Sequence, residues 1–332
     1  MILVTGGAGF IGSHLCIQLI DEGYDIIILD NLENSDATVV SRIEEITGKT
    51  SVFLRGDVKD SNFLNSVFAK YEIHAVFHCA GKKSVKESSA SPLIYYEDNV
   101  VGLVRVLQAM ESFKVKSIIF SSSATVYGSD AAMPVNESQV AGELANPYAR
   151  TKRMCEQILQ DLCVADRTWR VGVLRYFNPI GAHQSGLIGE SPNGTPNNLL
   201  PFIGKVVSGE YPFLSVYGDD YPTQDGSGVR DYIHVSDLVA GHLSAMNYIN
   251  QNAGFNVWNL GAGIGYSVFQ IIETFEKVSK RKISYKVVQR RAGDVAKSWA
   301  DPDKAERELG WKASKNLEEM ISDNWRWING NF

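Results

Sequence analysis

Short apolar runs alternate with amphipathic segments over the first half of the chain. The apolar runs lie at residues 2–4, 26–29, 52–54, 75–79, 117–120 and 171–174. Such runs are typical of parallel strands that crossover helices cover on both faces. Between the runs, apolar residues recur at helical spacing, which predicts a helix ending before residue 23 and helices at 63–71, 93–111 and 148–164. The pattern therefore predicts an α/β protein with a doubly wound parallel sheet.

The amino-acid composition of the chain changes after residue 176. Two stretches are rich in Gly, Pro and Asn, residues 178–201 and 218–228. Because both also contain aromatic and aliphatic residues, we predict ordered loops rather than disordered linkers. Further helices are predicted at 236–248, 267–279 and 317–327, and we assign them with the loops to a smaller C-terminal α/β lobe. The predicted parts are residues 1–177 and 178–332, with an approximate boundary because the chain can cross back between them.

Composition excludes several classes of function. The net charge of −6 and the lack of a long Lys/Arg run argue against binding to nucleic acid or to an anionic membrane. No apolar stretch approaches the roughly 20 residues that span a bilayer, and a strand begins at residue 2, so we expect a cytoplasmic protein. Four cysteines show neither zinc nor disulfide spacing, and no histidine cluster accompanies them, so we predict reduced packing residues and no metal site. They are Cys16, Cys79, Cys155 and Cys163.

A glycine-rich turn, TGGAGFIG at residues 5–12, follows the first apolar run. Gly6 suits the tight turn, Gly9 lets backbone N–H groups reach a pyrophosphate, and Gly12 allows close packing of helix on strand. The second apolar run ends on Asp30, whose carboxylate can accept both ribose hydroxyls and would repel a 2′-phosphate. The segment therefore predicts a Rossmann domain that binds NAD rather than NADP, so that residues 1–177 form the cofactor domain.

A possible catalytic group follows from helical spacing. Tyr148 and Lys152 lie four residues apart on a predicted helix and so share one face. A neighbouring ammonium and a bound nicotinamide cation both favour the phenolate, which makes Tyr148 a candidate general base, and the lysine can also reach the nicotinamide ribose. Ser123 follows a buried strand, at the edge where open α/β sheets bind ligands, and its hydroxyl can bridge substrate and tyrosine.

These motifs resemble those of the extended short-chain dehydrogenase/reductases. Further segments are similar to the UDP-galactose 4-epimerases, and the resemblance covers nearly the whole chain. The segments are SSSATVYG at 121–128, RYFNP at 175–179, PNNL at 196–199, GVRDYIHV at 228–235 and NLGAG at 259–263.

The resemblance implies a mechanism. Tyr148 takes the proton of the sugar 4-hydroxyl. Lys152 adjusts the acidity of this tyrosine, and the Ser123 hydroxyl lies beside it. The C4 hydride passes to a tightly bound NAD⁺, the 4-keto sugar rotates, and the hydride returns to its other face. UDP-glucose and UDP-galactose are thereby interconverted.

The resemblance also implies the ligand-binding residues. Besides Tyr148 and Lys152, the cofactor residues are Gly6, Gly9, Phe10, Ile11, Gly12, Asp30, Asn31, Asn34, Ser35, Asp57, Val58, Cys79, Ala80, Gly81, Lys83, Asp98 and Phe177. Besides Ser123, the UDP-sugar residues are Asn178, Asn198, Leu199, Tyr217, Arg230, Tyr232, Arg291, Asp294 and Ser298. Two positions depart from the family pattern, because Cys79 replaces the usual Phe and Asp98 replaces the first of the usual Asn-Asn pair.

Substrate range and assembly follow from the same resemblance. Strict galactose and glucose epimerases carry a bulky tyrosine where this chain has Ser298, so we expect the pocket also to admit the 2-acetamido group of UDP-GlcNAc and UDP-GalNAc. A tolerated small residue would explain the serine equally simply. The family pattern implies a homodimer joined by the helices near 93–111 and 148–164. Both helices have apolar stripes, but packing within one subunit could also explain them. The stripes are Val100, Val104 and Leu107, and Cys155, Ile158 and Leu162.

Two alternatives stay open at this point. A UDP-sugar dehydratase or decarboxylase of the same fold would need a carboxylate just before Val126, but Ala124 and Thr125 stand there. A non-catalytic NAD-sensing protein would be free to lose Tyr148 or Lys152, and the chain keeps both.

Overall fold

The central element of the molecule is a seven-stranded sheet whose neighbouring strands are all parallel. The computed structural model describes residues 1–129, 131–139, 142–291 and 294–330. The strands of the sheet are β1 (Ile2–Thr5), β2 (Ile26–Asp30), β3 (Val52–Arg55), β4 (Ala75–His78), β5 (Ser117–Ser123), β6 (Arg170–Tyr176) and β10 (Gly254–Leu260). They lie in the order β10-β6-β5-β4-β1-β2-β3.

Helices cover both faces of this sheet, which confirms the doubly wound α/β class. Ile2 and Val4 pack into one hydrophobic cluster, whereas Leu3 points to the other face and packs into a second one. This alternation explains why the strand sequences are apolar throughout rather than alternating. The helices of the first part are α1 (Phe10–Asp21), α2 (Thr38–Thr47), α3 (Ser61–Lys70), α4 (Val85–Ala90), α5 (Pro92–Tyr95), α6 (Gly102–Ser112) and α7 (Pro147–Ala165).

The predicted helix over 93–111 is interrupted. Between α5 and α6 the chain forms a π-helical segment, Tyr96–Val101. The buried Asn99 side chain accepts from the Lys82 backbone N–H (2.8 Å) and donates to Thr151 Oγ1 (3.0 Å). The Asn99 carbonyl accepts from the Cys155 thiol (3.3 Å). Wide π turns often lie at functional sites, and this one joins the loop after β4 to α7.

The second part of the chain forms two small sheets and a separate hydrophobic cluster. One sheet joins β7 (Asn178–Ile180), β9 (Val229–His234), β11 (Gly265–Ser267) and β13 (Lys297–Ser298), and the other joins β8 (Leu214–Tyr217) and β12 (Tyr285–Val288). Its helices are α8 (Leu199–Val207), α10 (Val268–Ser279) and α12 (Leu317–Gly330). Helix α11 (Asp303–Leu309) instead packs through Ala305 into the cluster that contains Ile2 and Val4.

The chain crosses back into the first part after β9. Helix α9 (Val235–Gln251) was predicted for the smaller lobe, but it packs with α1 against the large sheet, where Leu238 and Val239 join the cluster that contains Ile2 and Val4. That assignment was wrong because α9 is the crossover that leads into β10 at the edge of this sheet. The boundary at residue 177 stays a prediction. The second part is interrupted, because α9 and β10 pack with the first.

The first predicted loop is shorter than expected. Within 178–201 the chain forms β7, and α8 begins at Leu199. Pro201 lies in the first turn of α8, where its missing N–H has no intrahelical partner to lose. Residues 218–228 contain no helix or strand, as predicted.

Two further findings concern metals and membranes. Over the described ranges, no cluster of three His, Cys, Asp or Glu side chains is arranged to hold a metal ion, and the four cysteines are unpaired. None of the helices in those ranges combines the length and apolar character that crossing a bilayer requires. The cytoplasmic location stays a prediction.

Candidate active site

Every residue predicted for the site lines one cleft of about 1110 Å³. Pockets for a single small ligand typically measure about 300–1,000 Å³, so the cleft exceeds the usual size of a site for one such ligand. The predicted cofactor residues line the half at the carboxyl ends of the large sheet, where open α/β folds bind ligands. The predicted substrate residues line the other half, on β7, the start of α8, β8, β9, the loop after β12, and β13.

The glycine turn has the geometry that a pyrophosphate needs. Gly6 has φ +69°, and a side chain at Gly12 would place its Cβ 2.1 Å from the Gly6 carbonyl oxygen. Gly9 occupies the N-cap of α1, and no side chain caps this helix. The first N–H groups of α1 therefore remain free to bind an anion at the positive end of the helix. The residues present fit the cofactor that the sequence predicts.

Asp30 is held in place at the end of β2. Its carboxylate accepts from Ala8 N (3.0 Å), Leu32 N (2.9 Å) and Ser35 Oγ (2.9 Å). A carboxylate has about four lone-pair sites, so one remains for a ribose hydroxyl. The position supports the role predicted for Asp30.

Asp98 belongs to a chain of charges in the half of the cleft that the predicted cofactor residues line. Its carboxylate accepts from Lys59 Nζ (2.5 Å) and lies 3.7 Å from Lys82 Nζ, which pairs with Glu33 (2.5 Å). The hydrogen bond to Asp98 is the main cause of a raised pKa at Lys59. Two lysines thus neutralise the carboxylate that replaces the family's amide.

Tyr148 lies in the first turn of α7, and the start of this helix is well defined. Asn146 caps it by accepting from Ala149 N (2.9 Å), and Pro147 occupies the first helical position. The Tyr148 side chain is 9% exposed and faces the cleft.

Ser123 ends β5 beside the tyrosine. Its Oγ accepts from Thr125 Oγ1 (3.0 Å) and Thr125 N (3.3 Å), so its own hydrogen is free to be donated. Burial raises the pKa of Tyr148, and the hydrogen bond from Ser123 opposes part of that rise. Thr125, which occupies one of the positions where a dehydratase would need an acid, instead orients this serine.

Burial is the main influence on the pKa of Tyr148. It raises the pKa above its usual value despite the hydrogen bond from Ser123. Burial also lowers the pKa of Lys152. The lysine by itself therefore does not bring the tyrosine into the range of a general base; a nicotinamide cation bound beside the phenol would also favour the phenolate.

A buried hydrogen-bond chain supports Lys152. Its ammonium donates to the Ser121 carbonyl (2.6 Å), and the Ser121 hydroxyl lies 2.7 Å from the Tyr176 hydroxyl. Tyr176 in turn bonds to His242 Nε2. Because His242 Nδ1 faces the Leu238 carbonyl (2.9 Å), that nitrogen carries the hydrogen and Nε2 accepts from Tyr176. Burial lowers the pKa of His242 to about 4, so the chain stays neutral there at pH 7.

A buried ion pair joins α7 to the sheet one turn after Lys152. Glu156 Oε1 accepts from Ser122 Oγ (2.6 Å) and Arg175 Nε (3.0 Å), and Oε2 accepts from Arg175 Nη2 (2.7 Å). The Glu156 and Arg175 side chains are only 2% and 6% exposed. Since Ser122 adjoins Ser123 and Glu156 follows Lys152 by four residues, these contacts tie the end of the strand that carries the serine to the helix that carries the tyrosine.

The substrate half presents cationic and aromatic groups. Arg230 Nη2 lies 3.4 Å from Asp294 Oδ1, and the guanidinium carbon of Arg291 lies 3.7 Å above the ring of Tyr217. Two guanidinium groups in one cleft suit a diphosphate. Ser298 pairs with Arg230 between β13 and β9, so it also lies in this half.

Among the cleft residues that the sequence did not predict, three make polar contacts across the site. Glu190 accepts from Lys83 and Asn198, Lys82 bridges Glu33 and Asp98, and Asn193 donates to the Glu33 carbonyl. Each is a single polar residue in a loop, with partners distant in the sequence. The only sequence signal for a role in the site was that Glu190 and Asn193 lie inside the Pro- and Asn-rich stretch, and this signal was weak.

Comparison with known proteins gives consistent matches over the full chain. Residues 3–324 match the protein family described as GDP-mannose 4,6 dehydratase. The UDP-glucose 4-epimerase of Bacillus subtilis (strain 168) is 53% identical over 330 residues, which cover 99% of this chain and 97% of that protein.

Two solved structures place the fold and the site in context. The UDP-glucose 4-epimerase of Bifidobacterium longum, in complex with NAD+ and UDP, is 48% identical with a TM-score of 0.97, covering 99% of this chain and 98% of that one. The UDP-Glc/GlcNAc 4-epimerase of Campylobacter jejuni is 32% identical with a TM-score of 0.85, and 99% of each chain is covered.

Proposed function

The chain belongs to the UDP-glucose 4-epimerase family, and we propose that Tyr148, Lys152 and Ser123 carry out the family's reaction in this protein. The activity is the NAD-dependent interconversion of UDP-glucose and UDP-galactose. One observation carries the residue assignment: the three side chains lie in one cleft, between the glycine turn and the residues proposed for uridine diphosphate.

Each of the three residues has a distinct role. Tyr148 exchanges the proton of the sugar 4-hydroxyl, Ser123 donates a hydrogen bond to the phenol oxygen, and Lys152 places a positive charge beside the tyrosine from its anchor on the Ser121 carbonyl. NAD, when bound, supplies the acceptor and donor of the sugar-carbon hydride. Because the hydride is returned in each cycle, we expect the cofactor to stay bound.

The site argues against dehydration, although the matching family description names a dehydratase. Elimination needs an additional acid and base next to the serine. Ala124 and Thr125 provide no carboxylate there, and the Thr125 hydroxyl is committed to Ser123.

The proposal is tested with purified protein to which no NAD is added. The protein is incubated with UDP-galactose and, separately, with UDP-N-acetylgalactosamine, and the products are resolved by chromatography. We expect conversion to the gluco epimers by the retained cofactor. A 4-keto-6-deoxy product would instead indicate a dehydratase, and bound NAD without any turnover would indicate a non-catalytic protein.

We expect Ser298→Tyr to abolish turnover of the N-acetylated sugars while sparing UDP-galactose. Ser298 lies in the substrate half of the cleft, and a serine there leaves room that a phenol ring would fill. The Campylobacter jejuni relative, described as acting on both UDP-Glc and GlcNAc, shows that this fold accommodates both sugar types. The measurement is kcat/KM for each sugar, and equal losses on both would contradict the idea.

We propose that the protein is a homodimer, because α5, the π segment and α7 expose apolar side chains. The exposed fractions are 80% for Leu93, 45% for Ile94, 39% for Val101 and 47% for Met154. By contrast, five of the six residues in the predicted stripes pack within one chain, so those stripes give no support to the dimer. The five are Val100, Leu107, Cys155, Ile158 and Leu162.

We expect the double variant Leu93→Asp and Met154→Asp to be a monomer by light scattering. Each subunit would have to bury two carboxylates in the proposed interface, and isolated buried charges are strongly unfavourable. Ile264→Asp, at a 53% exposed apolar residue of the second part, is the control and should leave the assembly unchanged. A monomeric wild type, or a double variant that stays dimeric, contradicts the proposal.

A further inference from the structure

Glu190 is a buried carboxylate that joins the two halves of the cleft. It lies in the loop between β7 and α8, and its side chain is 6% exposed. The loop is held by a pairing of Ala182 with Gly189 and by the hydrogen bond from His183 N to the Ile188 carbonyl (2.9 Å). These contacts fix the point at which the carboxylate enters the cleft.

One oxygen of Glu190 accepts from both halves. Its Oε1 accepts from Lys83 Nζ (2.6 Å), in the loop after β4, and from Asn198 Nδ2 (2.6 Å), at the start of α8. The ammonium of Lys83 neutralises the carboxylate. An acid can therefore stand in a cleft that binds phosphates without an uncompensated negative charge.

The contact with Glu190 has a consequence for α8. Asn198 occupies the N-cap of this helix, where an asparagine side chain normally accepts from the first backbone N–H groups. Here the Asn198 side chain makes no capping hydrogen bond, and its amide donates to Glu190 instead. The N–H groups of Leu199 and Leu200 consequently stay free of a side-chain cap at the wall of the substrate half, whereas Pro201, the third residue of the helix, has no N–H.

We propose that Glu190 is a positioning residue for the substrate, resting on the proposed function. By holding Asn198 away from its own helix, it keeps the N-terminus of α8 open to the diphosphate of the UDP-sugar. Helix N-termini bind such anions through free N–H groups and the helix dipole. Without Glu190, Asn198 can cap α8 and compete with the diphosphate.

The test compares Glu190→Ala with the wild-type holoenzyme. We expect the UDP Kd, measured by calorimetry, and the KM for UDP-galactose to rise about tenfold, the size expected for one hydrogen bond involving a charged group. We expect kcat to change less than about twofold, because Glu190 makes no contact with Tyr148, Lys152 or Ser123. Inhibition by uridine, which has no diphosphate, should be unchanged.

Two further variants make the test specific. In an Asn198→Ala background the Glu190→Ala change should have no further effect on the UDP Kd, because residues that act through one contact are not additive. Glu210→Ala is the matched control, since it removes the partner of Lys205 (2.9 Å) next to the other end of α8 and should leave the UDP Kd unchanged.

Several outcomes would overturn the proposal. Equal effects of Glu190→Ala in the wild-type and Asn198→Ala backgrounds would show that the residue does not act through Asn198. An unchanged UDP Kd, or a parallel loss of uridine binding, would contradict the role of the α8 N-terminus. A wild type that neither binds UDP nor converts UDP-galactose would overturn the proposed function and this inference with it.

Discussion

Tyr148→Phe is expected to lower kcat for UDP-galactose about 10³-fold, within the ~10²–10⁴ that a positioned acid or base contributes. The substitution removes the hydroxyl that exchanges the substrate proton and leaves the ring in its buried place. Ser123 then has no phenol oxygen to which it can donate. Turnover is measured by chromatography of the UDP-sugars, and bound NAD by its absorbance after gel filtration.

The expected pattern is lost turnover with retained cofactor. Tyr248→Phe is the matched control, because Tyr248 packs edge-on against Trp258 (5.1 Å between ring centroids) on α9, outside the cleft. It should change kcat less than about twofold. A Tyr148→Phe protein that keeps a tenth or more of wild-type activity would show that another group exchanges the proton.

Glu156→Gln is expected to lower the free energy of unfolding by about 3 kcal/mol, the lower end of the range for breaking a buried ion pair. The change leaves the Arg175 guanidinium charged in a site where its side chain is 6% exposed. Arg175 Nη1 already has no hydrogen-bond partner there. The other charged partner of Glu156, Arg153, is also cationic and 43% exposed, so it cannot neutralise Arg175. Urea unfolding followed by tryptophan fluorescence, at saturating NAD, measures the difference.

A control variant on the same helix distinguishes the loss of a buried carboxylate from the loss of an exposed one. Asp161→Asn removes a carboxylate of α7 that accepts from Gln157 Nε2 (2.9 Å) at the surface. Exposed substitutions of this kind change stability by about 0.5 kcal/mol or less. If both variants lose the same small amount, the Glu156–Arg175 pair does not hold α7 on the sheet.

Local patterns carried most of the fold prediction. The six apolar runs and four helical patterns of the first part were predictable because a buried parallel strand and an amphipathic helix each have a distinctive spacing. The glycine turn was predictable for the same reason, since Gly6 and Gly12 answer requirements of the backbone within a few residues. The spacing of Tyr148 and Lys152 likewise needs only helical geometry.

Long-range partners were not predictable from such patterns. Lys83 and Glu190 are 107 residues apart in the chain, and the sequence contains no signal that pairs them. The same holds for Asp98, where the sequence showed a lost amide but not the two lysines that neutralise it. The placement of α9 failed because helix periodicity does not say against which layer a helix packs.

By itself the sequence determined the α/β class, the preference for NAD, and the tyrosine, lysine and serine proposed for catalysis. Each of these conclusions depends either on residues close together in the chain or on a family resemblance that covers the whole chain. Only the tertiary structure decided that all the predicted residues share one cleft, that burial raises the pKa of Tyr148, and that Glu190 joins the two halves. These properties depend on desolvation and on contacts between distant segments, which exist only once the chain has folded.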